Sequence, residues 1–136
     1  MMSKSTIEKN YQVPFSRERL FEAWISPDTV IAPVSKVEVD PKINGYLRLM
    51  VEMPDGAAIM EGKFLTVSYP TQLVYSWEWD GDGEVTEVTV TFKANTMGTE
   101  IVVLHSGFQS EESRGRHDVG WDSYVDGVVQ RLQSMS

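Results

Sequence analysis

The chain has 136 residues, with 20 Asp and Glu against 12 Lys and Arg, a net charge of −8 and no cysteine. Phosphate neutralisation needs clustered Lys and Arg, so this balance excludes nucleic-acid binding of the usual kind, and the lack of thiols excludes disulfides and thiolate metal sites, as in a protein of the reducing cytoplasm. The acidic residues are scattered rather than blocked, which reads as a solvated surface kept soluble by like charge, or else as an acidic docking face for a basic partner.

Met1 to Asn10 carry no apolar signal-peptide core, and no apolar run approaches the roughly 20 residues that cross a bilayer, so the chain reads as unexported and without membrane insertion. Ile7, Lys9, Tyr11 and Val13 alternate with Glu8, Asn10 and Gln12, the pattern of a first strand with one buried side, ended by Pro14. Ser16 is placed to cap a short helix bearing Leu20, Phe21, Trp24 and Ile25. Ser26-Pro27 stops that helix and offers the cap of a second, and Pro33 closes the insert. Punctuation then becomes regular. Val37 and Val39 mark a brief strand, and residues 46–53 follow Asn44-Gly45 and stop at Pro54-Asp55-Gly56. Strands over 58–68, 72–79, 85–94 and 99–106 follow, separated by Tyr69-Pro70, by Asp80-Gly81-Asp82-Gly83 and by Asn95-Thr96-Met97-Gly98. Neither a linker, a repeat nor a low-complexity tract interrupts them, so residues 1–136 read as one domain.

Alternation assigns the inner face. Placing Arg48 and Glu52 in water sends Leu47, Leu49, Val51 and Met53 inward, and Glu61 and Lys63 outward put Met60, Gly62 and Phe64 inward. Leu73, Tyr75, Trp77 and Trp79 form another inner row, followed by Val88, Val90 and Phe92, and then by Ile101, Val103 and His105. Over residues 115–132 the period changes to that of a helix. Trp121, Val125, Val128 and Leu132 make a stripe roughly 60° wide, with Tyr124 beside it and Asp122, Ser123, Asp126 and Gln130 opposite. Gly120 and Gly127 lie on the flank, where each costs roughly 1 kcal/mol relative to Ala, and they predict close approach by another backbone. A long helix closing a curved antiparallel sheet leaves room for a cavity. The inward residues Trp24, Leu49, Val51, Met60, Phe64, Tyr75, Trp77, Val90, Phe92, His105, Trp121, Tyr124, Val125 and Val128 are therefore the candidate ligand wall.

No nucleophile elbow, carboxylate pair, phosphate loop or dinucleotide fingerprint is present, so no catalytic residue and no cofactor is assigned. His105 and His117 lack the spacing of a zinc motif, leaving no metal assignment. A neutral His105 could still serve as a base, with Tyr75 or Tyr124 orienting a polar group, if all three reached one pocket.

The order of elements carries a resemblance, together with Val13-Pro14 through Trp24, Ser26-Pro27-Asp28, Asn44-Gly45-Tyr46, Pro54-Asp55-Gly56, Glu61-Gly62-Lys63-Phe64, Pro70 through Trp77, Gly98-Thr99, His105-Ser106-Gly107-Phe108 and Gly120-Trp121. The chain resembles the activator of heat-shock-protein-90 ATPase homologue family, within the START-like (SRPBCC) helix-grip superfamily. The resemblance implies an α+β helix-grip fold, a curved seven-stranded antiparallel sheet wrapped around a long C-terminal helix, with two short helices after the first strand. It also implies a cavity for a hydrophobic or amphipathic small molecule, lipid-, polyketide- or flavonoid-like, in a carrier or sensor. The alternatives it leaves open are a chaperone-associated protein-interaction module of the stress response and a cavity enzyme such as a cyclase or hydrolase. A monomer or weak homodimer is expected. The chain departs from the family at Val30-Ile31-Ala32-Pro33, where members commonly carry tryptophan before the proline, and in having the single Gly45 where a pair is usual. The first departure is expected to alter one wall or rim of the pocket.

Overall fold

Alternating apolar and polar residues, broken at each turn by Gly, Pro, Asn or Asp, fold the chain into an antiparallel meander. The computed structural model describes residues 6–135. Met1 to Ser5, half of the segment read as lacking a signal-peptide core, lie outside them. The order is β1 (Thr6–Val13), α1 (Arg17–Trp24), β2 (Val34–Val39), β3 (Tyr46–Met53), β4 (Gly56–Ser68), β5 (Gln72–Trp79), β6 (Thr86–Asn95), β7 (Gly98–Ser106) and α2 (Glu111–Ser134). The strands form one seven-stranded sheet in the order β1-β7-β6-β5-β4-β3-β2, every pair antiparallel, so the first strand returns to pair with the last. This is the expected α+β helix-grip class.

The exit from β1 is fixed by the β6–β7 turn. Gly98 has φ +130°, and a Cβ there would collide with the Val13 carbonyl, so only glycine lets the turn tuck beneath it. Next to it the buried Thr99 Oγ1 donates to the Phe15 carbonyl at 2.7 Å. Helix α1 then starts where Ser16 Oγ accepts from the Arg19 N–H at 3.2 Å, and it buries Leu20, Phe21, Ala23 and Trp24. The second short helix expected at Ser26-Pro27 is instead a turn. Ser26 Oγ accepts from the Asp28 N–H and the Ser26 carbonyl from the Thr29 N–H, but no further helical bond follows before Pro33. The serine cap was read correctly, and what it caps is one turn of a connecting segment.

Helix α2 begins before the apolar stripe does. Ser110 Oγ accepts from the Ser113 N–H, and Glu111 and Glu112 in the first turn oppose the positive end of the helix. These polar residues carry no apolar period, which is why periodicity alone placed the start near 115. The buried face is Ser113, Trp121, Val125, Val128 and Leu132. Along β1 the helix is held by Lys9, paired to Asp118 and Asp122, and by the Tyr11 hydroxyl, which donates to Asp122 at 2.8 Å. At its N-terminal end Glu84 accepts from the Ser113 hydroxyl (2.6 Å) and the Gln109 N–H (2.7 Å). At the other end Arg19 donates to the Leu132 carbonyl. Neither glycine meets a backbone as expected. A Cβ on Gly120 would meet nothing within 4 Å, whereas one on Gly127 would strike the Ile31 side chain, so Gly127 is the seat of the connecting segment.

The packed core therefore gathers where α1 and α2 cover β5, β6 and β7: Leu20, Phe21, Leu73, Val88, Val90, Phe92, Ile101, Val103 and Val128 are all at most 1 % exposed. Toward β2 and β3 the sheet has no helix pressed on it. Leu49 and Val51 are only half-buried, and Met53, expected inward, is 54 % exposed at its strand's end.

Candidate functional site

The unpressed part of the sheet, one flank of α2 and the segment over residues 25–33 enclose a cavity of about 520 Å³. Leu47, Leu49 and Val51 of β3, Val34 and Val37 of β2, and Tyr75, Trp77 and Trp79 of β5 form its floor. Gly120, Trp121 and Tyr124 of α2 form its roof, with Trp24, Ile31, Ala32 and Pro33 closing one end. Asp82, Glu84, Ser113, Arg116 and His117 provide a polar border. At about 24 cal/mol per Å³, a dry void of this size would cost about 12 kcal/mol, as much as a typical domain's whole stability of about 5–15 kcal/mol. Such a space is held open only if water or a guest fills it.

Aromatic residues set its shape. The Trp24 and Trp121 rings stack at 6.2 Å with planes 15° apart, and Tyr124 stands edge-on to Trp24 at 4.9 Å. Trp24 Nε1 donates to the Tyr75 hydroxyl at 3.1 Å. Burial raises the phenol pKa of Tyr75, and burial together with the neighbouring Tyr75 raises that of Tyr124, so both remain neutral donors. Two buried polar atoms of the wall residues, Thr29 Oγ1 and Trp77 Nε1, have no hydrogen-bond partner among the described residues. Each such group costs on the order of 1–3 kcal/mol, so the wall sacrifices stability where the packed core does not.

Behind this wall lies a closed relay. Trp121 Nε1 donates to His105 Nδ1 at 3.1 Å, which leaves the ring proton on Nε2 to donate to Thr86 Oγ1 at 2.7 Å. Thr86 in turn donates to the Trp77 carbonyl at 3.1 Å. Burial, with a smaller contribution from His117, lowers the His105 pKa to about 3, so the imidazole is neutral. At the border, Trp79 Nε1 donates to His117 Nε2 at 3.2 Å, and His117 Nδ1–H donates to the Ser113 carbonyl at 2.8 Å. All four imidazole nitrogens are engaged, and neither histidine has a free lone pair to take a proton from a guest. Burial would raise the Glu84 carboxyl, but hydrogen bonds from Ser113 and Gln109, with His117 and Arg116 nearby, hold it below the usual range.

The family model described as activator of Hsp90 ATPase homolog 1-like protein matches residues 14–133. The chain belongs to this family. Among solved structures, a protein from Rhodobacter sphaeroides is similar at 20% identity and TM-score 0.84, over 98% of this chain and 95% of the other. An AHSA1-like protein from Aeromonas hydrophila is similar at 21% identity and TM-score 0.75, over 96% and 93%. A protein from Plasmodium falciparum described as an HSP90 activator is similar at 20% identity and TM-score 0.78, over 95% and 96%. At these identities the likeness shows the fold. No curated protein sequence matches.

In this family member the fourteen residues read as a ligand wall divide by position. Trp24, Leu49, Val51, Tyr75, Trp77, Trp121 and Tyr124 line the cavity. Met60, Phe64, Val90, Phe92, Val125 and Val128 are sealed in the packed core, and His105 lies beneath Trp77 and Trp121, whose rings separate it from the open space. His105 therefore does not share the cavity with Tyr75 and Tyr124. Sequence reasoning left out Ile31, Trp79, His117 and Gly120 as wall residues. For His117 a signal existed, since it lies four residues before Trp121 and so on the same helical face. Ala32, at which the resemblance led to the expectation of an altered wall or rim, is part of the wall.

Proposed function

We propose that this protein binds a hydrophobic or amphipathic small molecule in the cavity between α2 and the sheet, as a carrier or sensor. The observation that carries the reading is the cavity itself. At about 520 Å³ it falls within the roughly 300–1,000 Å³ typical of small-molecule sites, its wall is apolar and aromatic, and its polar groups are few. Binding is favoured over catalysis in this chamber because both histidines are saturated by protein partners. Lipid-, polyketide- and flavonoid-like molecules have the required character, and a chain without cysteine suits a reducing cytoplasm. Thermal-shift and native mass-spectrometry screens of such compounds should return at least one saturable 1:1 binder, and a screen with none would reject the reading.

A second reading has its own support. The family is described by activation of the Hsp90 ATPase, and the Plasmodium falciparum neighbour is described as an HSP90 activator. On that reading the purified protein raises the ATPase rate of an Hsp90 homologue, and no change at saturating protein would reject it.

A further inference from the structure

The cavity's chemistry specifies more than apolarity, and this inference rests on the small-molecule reading above. The Tyr75 hydroxyl and the Tyr124 ring, from opposite walls, both meet the Trp24 indole. The Tyr75 hydroxyl of β5 accepts from Trp24 Nε1 at 3.1 Å, and its own proton has no acceptor among the described residues. The Tyr124 ring of α2 packs edge-on against Trp24 at 4.9 Å, and its hydroxyl makes no hydrogen bond to any described residue. Two neutral O–H donors without an acceptor among the described residues thus belong to a wall that is mostly apolar. Donors in such a place are costly unless the guest satisfies them.

Charge decides what the guest's acceptor can be. Among the described wall residues Arg116 is the one Lys or Arg, and it is mostly exposed and paired with Glu112 at 2.8 Å, while Asp82 and Glu84 add negative charge at the same border. A carboxylate carried to the tyrosines would lose its water with no countercharge. A ketone or similar neutral oxygen would accept from both hydroxyls at far smaller desolvation cost. The parallel Trp24 and Trp121 rings and the tilted Trp77 further favour a flat ring system over a flexible chain.

We propose that the cavity selects an uncharged, flat, largely apolar molecule bearing a hydrogen-bond acceptor oxygen, and that the Tyr75 and Tyr124 hydroxyls hold this oxygen. Three naphthalenes of closely similar shape test it by titration calorimetry: 2-acetylnaphthalene, 2-isopropylnaphthalene and 2-naphthoate. The wild-type protein should bind the ketone about 10-fold more tightly than the hydrocarbon, and the carboxylate more weakly than either. Tyr124→Phe should erase about 3- to 10-fold of the ketone's affinity and leave the hydrocarbon's unchanged. Tyr75→Phe should do the same for the ketone, and a shared change in hydrocarbon affinity would report the freed Trp24 N–H. Equal binding of ketone and hydrocarbon, or equal weakening of both by Tyr124→Phe, would overturn the oxygen anchor while leaving the cavity reading intact. Failure of all three probes to bind would overturn both.

Discussion

His105 should make the protein acid-sensitive in a window where few other groups titrate. The imidazole is wholly buried, and its folded pKa of about 3 lies well below the ordinary 6.5. The unfolded chain therefore takes up a proton near pH 6.5 that the folded chain refuses, so stability present above that pH is lost as pH falls toward 3. At about 1.4 kcal/mol per pH unit, lowering the pH from 7 to 5 costs about 2 kcal/mol from this residue alone. Unpaired carboxylates titrate mostly below that interval. Urea unfolding followed by tryptophan fluorescence should show the midpoint falling by about 1 M over these two pH units, given a slope of about 1–3 kcal/mol per M. His105→Gln, which keeps a donor and an acceptor but no titration, should be less stable at pH 7 and lack most of the decline. Equal declines in wild type and variant would refute the assignment of a buried neutral imidazole.

Two glycines in one helix should respond oppositely to alanine. Gly120→Ala meets open space and should stabilise by about 1 kcal/mol, the helical propensity gain alone, while Gly127→Ala drives a methyl into Ile31 and should lose that gain and unseat residues 25–33, as thermal unfolding will show. Leu49 and Met60 are direct cross-strand partners on the inner face, yet one lines the cavity and the other is fully buried. Met60→Ala should cost about 2–5 kcal/mol in chemical denaturation, whereas Leu49→Ala should cost about 1 kcal/mol and act mainly on guest affinity.

The Leu49–Met60 pair also shows how far the sequence was legible. Period-2 alternation names the face on which a residue sits, and it placed both correctly. It carries no information on how far a helix lies from that face, and this distance separates the packed end at Val90, Phe92 and Val128 from the open end at Leu49 and Val51. The fold was readable because its signals are local: caps at Ser16 and Ser26, glycine turns, and the change of period near residue 115. The wall was half-readable because Ile31 reaches it through long-range seating, whereas the spacing of His117 to Trp121 was a local signal left unused. Ile31 enters by resting on Gly127, ninety-six positions away by number, and no window of the sequence joins the two. The absent second helix has a local cause, since Pro33 follows Ser26 too soon for a helix to extend beyond its first turn.

The central claim is that a guest enters the space beneath α2. All four tryptophans of the chain line that space, so their fluorescence reports entry directly. Titration with 2-isopropylnaphthalene, which tests apolar filling without the oxygen, should give a saturable change at one molecule per chain. The change should vanish in Gly120→Phe, where a ring on the same helical flank as His117 and Tyr124 fills the opening. A response that never saturates, or one that survives unaltered in a well-folded Gly120→Phe, would contradict the account.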